Sequence, residues 1–425
     1  MTLKLTDHQQ AMLSGSDGNG CQIAMRMVVA AAEALTATRL VEIKSAHVTS
    51  CFYSGQVNVD FAEHLVANGA KVAVPTTLNA SSMDFVHPEL TLVDADLQGV
   101  AGAKRLGECY LAMGCNQTWT CAPYHIDPKP AFGEHIAGSE SNAVVFSNSV
   151  LGARTNLYGD FLDIGAAITG YAPYAGLHRD EPRRGEIVFD VQMIPDSVKK
   201  TDIFFNALGY VIGRESGSQI PVVVGLLPTT NEDQLKALGS TAACAGAVKM
   251  FHAVGVTPEA MSLEQALQGG RPDREITISA TQIVAASDAL CTVTNGTISA
   301  VCMGTPHFSV SEFQSMMPLL SDRKVHADVR CYISTSRHTI DLIKKKGWLT
   351  ELQDAGITIV ADRCTYNIPR LDGVDGVVMT NSAKWAYYGP GNVGAKAVFA
   401  SLKECLDSAV AGRVVRDPDL WLGLD

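Results

Sequence analysis

The stretch ISAVCMGTPHFS, Ile298–Ser309, opens on a short apolar run, stops at Gly304 and passes into a polar loop. An apolar run of this length closed by glycine reads as a buried strand. The same order recurs three times downstream: DVRCYI runs into STSRH (Ser334–His338), ITIVA into DRCTYN (Asp362–Asn367), and GVVM into TNSAKWAYY (Thr380–Tyr388). In open α/β sheets ligands sit outside the carboxyl ends of the strands, so polar motifs placed after four strands predict one shared cleft.

Working outward, further strands are expected in RLVEIKSAH (Arg39–His47), KVAVPTT (Lys71–Thr77), GEIVFDVQ (Gly185–Gln192) and IPVVVGL (Ile220–Leu226). Helical periodicity marks Cys21–Ala37, Asn231–Gly255, Ser309–Ser321, Thr339–Gly356 and Ser401–Gly412. Such alternation is the signature of an α/β fold with mostly parallel sheets. Charge and Gly/Pro replace periodicity at RDEPRRGE (Arg179–Glu186) and QGGRPDRE (Gln268–Glu275), which suggests subdomains 1–180, 181–272 and 273–425.

The 425 residues are 47% hydrophobic and 18% charged, with 37 Gly and 17 Pro, the balance of an ordinary globular enzyme. The start shows neither the basic nor the apolar region of a signal peptide and no run could span a bilayer, so a cytoplasmic protein is expected. A net charge of -11 argues against nucleic acid or an anionic membrane as main partner, and leaves room for a small anionic substrate held in a local basic pocket. Eleven cysteines in such a chain are not expected to form disulfides. Cys21, Cys244, Cys331 and Cys405 lie inside helix or strand patterns and should pack. Cys121, Cys302 and Cys364 adjoin polar or Gly/Pro-rich loops; three thiolates from distant parts of a chain can hold an iron–sulfur cluster with one iron position left open. No CxxC pair supports this by spacing, and Cys115 is a possible substitute ligand.

Two further stretches invite a functional reading. SGSDGNGCQIAM (Ser14–Met25) is a glycine-rich loop entering a helix, a geometry that can cradle an anion, but no strand precedes it and no Lys-Ser/Thr pair follows, so an ordinary loop or a carboxylate-binding turn is expected rather than a nucleotide site. GEHIAGSESNAVVFSNSVLGARTN (Gly133–Asn156) predicts a helix over Asn142–Leu151, capped by Ser139 or Ser141 and ended by Gly152. Glu134, His135, Glu140 and Arg154 exceed what capping needs and suggest a polar pocket wall.

VPTTLNASSMD (Val74–Asp84), TCAPYH (Thr120–His125), the Gly133–Asn156 stretch, GTPHFS, ADRCTYN and TNSAKWAYY, taken together and in order, resemble the large catalytic part of aconitase X, a branch of the aconitase superfamily. The resemblance implies an iron–sulfur dehydratase built from three α/β domains of the aconitase type. Bacterial members dehydrate cis-3-hydroxy-L-proline to pyrroline-2-carboxylate, the first expectation here; archaeal heterodimeric members dehydrate mevalonate 5-phosphate, whose phosphate wants more basic residues than these motifs offer. Many relatives read GCPH where this chain has GTPH, so Thr305 stands in place of a cysteine. Cys302 then becomes the substitute ligand beside Cys121 and Cys364, with a [2Fe–2S] cluster expected and [3Fe–4S] or [4Fe–4S] as alternatives; a scaffold subunit that has lost the cluster is the reading from another class. Relatives also need a small swivel domain, for which the chain shows no room, so a small partner subunit is expected, bringing a catalytic serine with it.

Dehydration of such a hydroxy acid must remove a weakly acidic proton and expel hydroxide. A cluster iron would act on the hydroxyl as a Lewis acid. Arg154 and Lys384 are candidates for the substrate carboxylate, and Ser382, His135, Glu134 or the partner's serine for the base. His47 and His307 could orient substrate or protonate the departing group, or simply bond a neighbouring carbonyl. Thr76, Thr77, Asn79, Glu140, Ser141, Asn142, Thr155 and Asn156 complete the expected substrate pocket, and Tyr387 either lines it or packs.

Overall fold

Short apolar runs buried on both faces favour parallel strands, and all but the exposed edge strand Arg274–Thr277 follow that pattern here. In the computed structural model, which describes residues 2–91 and 97–421, they form two such sheets in one part of the chain and one in the other. Two units result, Met1–Ser82 with Asp96–Arg184, and Met83–Ala95 with Gly185–Asp425.

The first unit holds β1 (Leu40–Glu42), β2 (Ala46–Val48), β3 (Thr76–Leu78), β4 (Ala137–Gly138) and β5 (Tyr171–Pro173). Strands β3, β2 and β4 form a parallel sheet in that order, while β1 pairs antiparallel with β5. The single strand expected over Arg39–His47 is therefore two strands in different sheets. The chain changes partners between them: the Ile43 N–H donates to the Gly170 carbonyl and the Lys44 N–H to that of His135. Likewise only the end of Lys71–Thr77 joins a sheet, because the Val72 and Ala73 N–H groups are taken by the carbonyls of Met113 and Ala167. The helix Asn19–Ala34 buries Ala24, Met25, Val28 and Ala32, one apolar stripe, against Met12 and Leu40.

In the second unit, β6 (Ile187–Asp190), β7 (Pro221–Val224), β8 (His252–Ala253) and β9 (Arg274–Thr277) form a parallel sheet in the order β8-β7-β6-β9. Arg274 and Glu275, expected in a break, are thus strand residues. The helix expected over Asn231–Gly255 ends at Ala245. Gly246 presses on Gly213, where any Cβ would sit 2.1 Å from the Gly213 oxygen, and the remainder runs out to β8. The helix expected over Thr339–Gly356 is two, Arg337–Lys345 and Trp348–Asp354, parted at Gly347 with φ +81°.

The last sheet contains β10 (Ala300–Met303), β11 (Arg330–Ser334), β12 (Ile357–Val360), β13 (Val377–Thr380) and β14 (Lys396–Phe399), all parallel, in the order β12-β11-β10-β13-β14. Alternation sends Val301 and Met303 into one core and Ala300 and Cys302 into the core on the opposite face. Neighbours of β10 lead away in opposite directions, which makes the β10/β13 junction the switch point where such sheets bind ligands. Among the described residues no helix is long and apolar enough to cross a membrane, and the cysteines form no disulfide.

Candidate functional site

All four polar motifs lie at the carboxyl edge of the five-stranded sheet. Gly304, after β10, has φ +85°, and a Cβ there would meet the Ser334 oxygen of β11 at 2.1 Å, so only glycine lets the two strand ends close up. Thr305 follows, buried, its Oγ1 without a hydrogen-bond partner among the described residues. Across the switch point Ser382 caps the helix Ala383–Val393: its Oγ accepts from the Trp385 N–H at 3.0 Å and donates to the Thr305 carbonyl. Lys384 is buried in the first turn of that helix, and Tyr387 is exposed, edge-on to Tyr388.

His307 is fully buried, and its Nε2–H donates to the Arg363 carbonyl at 3.3 Å. That bond leaves Nδ1 as the lone-pair nitrogen, the arrangement seen in histidines that ligate metals. A ring nitrogen of His307 lies within 4.8 Å of the sulfur of Cys364, itself buried. Cys302 does not join them. Its side chain points into the core with Tyr332, Val360 and Trp385, hydrogen-bonds Thr365, and has its thiol pushed up to about 12 by burial. Strand alternation thus corrects the expected substitution for the missing GCPH cysteine: His307, not Cys302, stands beside Cys364.

The loop of Cys364 is held by residues the sequence reading overlooked. Arg363 is fully buried; its Nη2 donates to the carbonyls of Asn367 (2.5 Å) and Pro369 (2.6 Å) and its Nε to that of Cys364 (3.4 Å). Burial lowers this guanidinium to about 10, against the opposing pull of Asp84 and Cys364. Asp84 accepts the Val86, His87 and Ala361 N–H groups, each at 2.8 Å. Asp362, at φ +61°, takes a forked contact from Arg337 at 2.7 and 2.6 Å. Beside the GTPH loop a cavity of about 460 Å³ is lined by Asn206, Lys236, Thr305, Glu312, Ser382 and Lys403. Lys236, buried, bridges Glu312 and Asp233 (3.2 Å) and reaches the His307 carbonyl at 3.5 Å; burial raises Glu312 to about 7 despite that lysine.

In the first unit Cys121 is buried, and its carbonyl accepts from Asn142 Nδ2 at 2.8 Å. The same amide accepts the Tyr124 hydroxyl at 3.0 Å, and Tyr124 stacks on Phe146 at 3.7 Å. The helix expected over Asn142–Leu151 is an α-helix, Ser141–Phe146, continued by a π-turn, Ser147–Leu151, and stopped at Gly152. Its cap is Glu140, whose Oε2 takes the Ala143 N–H at 2.6 Å, rather than Ser139 or Ser141. Ser139 is diverted to Asp163 at 2.7 Å. That fully buried carboxylate, the lone acid of the apolar helix Leu162–Thr169, also accepts from the Thr49, Ser50 and Ile164 N–H groups and the Ser50 hydroxyl.

A second cavity, about 380 Å³, is lined by Lys44, His47, Thr77, Tyr124, Glu134 and Thr155 among others. Thr77 Oγ1 donates to the Ala46 carbonyl at 3.3 Å and so accepts from His47 Nδ1 at 2.9 Å. His47 Nε2 is left buried, with no hydrogen-bond partner among the described residues, and burial lowers the ring to about 4 against the pull of Glu140 and Asn79. Glu134 is half-buried and accepts the Ala131 N–H at 2.8 Å. The other expected pocket residues make local hydrogen bonds, and so does Thr155, which also lines the cavity. Thr76 donates to the Val74 carbonyl, Asn79 accepts the Ala80 N–H, Thr155 accepts the Gly138 N–H, and Asn156 bridges Ala175 and Leu177; Ser141 lies 3.5 Å from Glu140.

Residues 2–181, 185–288 and 298–411 match the family models described as Aconitase X first domain, second domain and third domain, respectively. The chain belongs to the aconitase X family. It is 40% identical over 425 residues to a cis-3-hydroxy-L-proline dehydratase of Pseudomonas aeruginosa, spanning 99% of this chain and 72% of that one. A cis-3-hydroxy-L-proline dehydratase of Hypocrea jecorina is 38% identical over 420 residues (97% and 69%), and a phosphomevalonate dehydratase large subunit of Methanothermobacter thermautotrophicus 34% over 394 (92% and 95%). A crystal structure of Thermococcus kodakaraensis aconitase X in its holo form superposes with a TM-score of 0.84 at 30% identity, covering 96% of this chain and all of that one. Membership of aconitase X makes the chain a dehydratase, a hydro-lyase.

Two residues expected in the catalytic group lie elsewhere in this aconitase X chain. His135 and Arg154 do not line the first-unit cavity. His135 Nδ1 meets His178 Nδ1 at 3.0 Å, His178 Nε2 meets the Tyr158 hydroxyl at 2.5 Å, and Arg154 is bound to Asp180 (2.5 Å) and the His178 carbonyl (3.3 Å). Burial, then His135, Arg183 and Arg154, lowers His178 to about 3. The unfolded chain therefore binds more protons than the folded one below the ordinary histidine range. Stability supplied by neutral His178 and His47 is complete above pH ~6.5 and lost as pH falls toward those lowered values, whereas the raised Glu312 acts in the opposite sense. Urea unfolding between pH 4 and 6.5 should lose stability as pH falls, and His178→Gln should flatten that slope by up to about 1.4 kcal/mol per pH unit. An unchanged slope would mean that His178 is already protonated in the fold.

Proposed function

We propose that this chain dehydrates cis-3-hydroxy-L-proline to pyrroline-2-carboxylate with an iron–sulfur cluster and a small swivel-domain subunit. The 40% identity to a dehydratase of that name, spanning nearly the whole chain, carries the reading. The archaeal relatives named as large subunits support the expectation of a partner.

The donors fit such a cofactor. Cys364 and His307 offer a thiolate and an imidazole nitrogen, both buried, at the carboxyl edge of one parallel sheet. Clusters of this kind accept both ligand types. Cys121, on the loop held by Asn142, is the proposed further thiolate ligand. When bound, the cluster supplies a Lewis-acidic iron to which the substrate hydroxyl can coordinate.

The remaining work falls to the protein. The proton leaves the carbon beside the carboxylate, the hydroxyl leaves C3 as water, and the resulting enamine tautomerises to the cyclic imine. Glu134 lines the first-unit cavity and is the carboxylate proposed to take the proton, unless the partner subunit's serine does so. Ser382 is the weaker candidate because its hydroxyl is committed to Thr305 and Trp385. His47, neutral through burial, presents Nε2 as an acceptor for a substrate N–H or O–H. Lys384, buried in the first turn of the helix that Ser382 caps, is the proposed carboxylate contact. Protein purified without oxygen with its small subunit should be brown, contain iron and sulfide, and act on cis-3-hydroxyproline in a panel with the trans-3 isomer and mevalonate 5-phosphate. A colourless active enzyme would reject the cluster, and turnover of mevalonate 5-phosphate alone would reject the substrate.

A further inference from the structure

A guanidinium taken out of water is expensive unless its N–H groups find acceptors. Arg363 is fully buried and satisfies two of its three nitrogens on the carbonyls of Cys364, Asn367 and Pro369. Its Nη1 is buried with no hydrogen-bond partner among the described residues. The nearby Asp84 carboxylate is engaged with three backbone N–H groups.

The same omission recurs on the neighbouring strands. Thr305 Oγ1, just beyond β10, and Ser334 Oγ, at the end of β11, are also buried without partners among the described residues, and Arg363 lies just beyond β12. Those strands are adjacent in one parallel sheet, and all three atoms belong to its carboxyl edge. Buried polar groups are almost always paired, so three orphans on three adjoining strand ends point to a bound group that supplies the acceptors. A guanidinium among them selects for negative charge.

We propose that Arg363 Nη1 donates a hydrogen bond to an anionic group bound at this edge, with the Thr305 and Ser334 hydroxyls in the same polar shell. The inference rests on the iron–sulfur dehydratase reading, which offers two anionic acceptors: a sulfur of the cluster and the carboxylate of the substrate. Arg363→Lys keeps the charge and loses the fork. In the reconstituted holoenzyme a role toward the cluster predicts faster loss of iron and sulfide during anaerobic gel filtration, with KM of the loaded fraction unchanged. A role toward the substrate predicts wild-type iron content and a KM for cis-3-hydroxyproline raised about tenfold to a hundredfold, the range for a hydrogen bond to a charged group. A folded variant with wild-type iron retention and KM overturns the proposal. Should Arg363→Lys fail to fold, Ser334→Ala decides, because it removes an orphan hydroxyl and leaves the Arg363 anchors in place. Weaker iron retention or a raised KM supports the shell, whereas unchanged values with a higher Tm show a hydroxyl that meets no ligand and overturn it. Wild-type protein devoid of iron and sulfide overturns the underlying reading and this inference with it; a loaded wild type beside an unaffected variant overturns this inference alone.

Discussion

Cys364→Ala, purified without oxygen beside its small subunit, is expected to lose its iron and to fall at least about a hundredfold in kcat/KM. Outer-shell changes alone commonly cost 10- to 100-fold at metal centres, and this substitution removes the proposed ligand itself. The informative control is Cys302→Ala. Its thiol sits in the core behind the sheet, hydrogen-bonded to Thr365, so its loss should leave iron and turnover intact and cost about 1 kcal/mol through the small void left behind. Iron analysis and steady-state kinetics on the two variants separate the assignments. Loss of the cluster from Cys302→Ala with retention in Cys364→Ala would reverse the ligand identity argued from the fold.

Asp163→Asn should be the most destabilising conservative change in the first unit, at about 3–5 kcal/mol. The carboxylate accepts from three backbone N–H groups and from the hydroxyls of Ser50 and Ser139. An amide in its place turns an N–H₂ group toward donors, so at least one of those buried groups loses its acceptor. The segment that follows β2 is tied to Ser139 through this residue's oxygens and by the Thr49 N–H, which also donates to Ser139 Oγ at 2.9 Å, and Ser139 directly precedes the Glu140 cap. Chemical denaturation compared with Asp180→Asn, whose carboxylate is exposed in a surface pair with Arg154, provides the test. Equal midpoints would show that the network contributes nothing net.

What could be read from residues alone was greatest where local pattern and tertiary environment agree. The runs ending at Met303, Ser334, Val360 and Thr380 are continuous, apolar and closed by polar loops, and each is a strand of one parallel sheet. Legibility failed where partners far away in sequence decide. Nothing local in Arg39–His47 shows that Ile43 will pair with Gly170 and Lys44 with His135, which splits the strand. Gly246 reads as a tolerated helix residue until its contact with Gly213 is known. At the site, Cys364 and His307 could be nominated by residue type, but the direction of the Cys302 side chain depends on strand phase, and one residue of register exchanges core for edge. Asp163 and Arg363 were invisible for a different reason: their importance lies in how many backbone groups they satisfy, which no spacing rule records. A solitary acid in an otherwise apolar helix was the one available signal for Asp163.

The earliest-made strand of the five-stranded sheet, β10, occupies its centre, with β11 and β12 added on one flank and β13 and β14 on the other. A chain emerging from the ribosome can therefore lay each new strand against an already exposed border, and none has to be threaded between two that are already joined. The GTPH loop is the founding piece of this accretion. Of the later strands that carry a polar motif, β11 and β13 dock on β10 itself and β12 docks on β11, so the chemistry-bearing rim takes shape from its middle outward during synthesis.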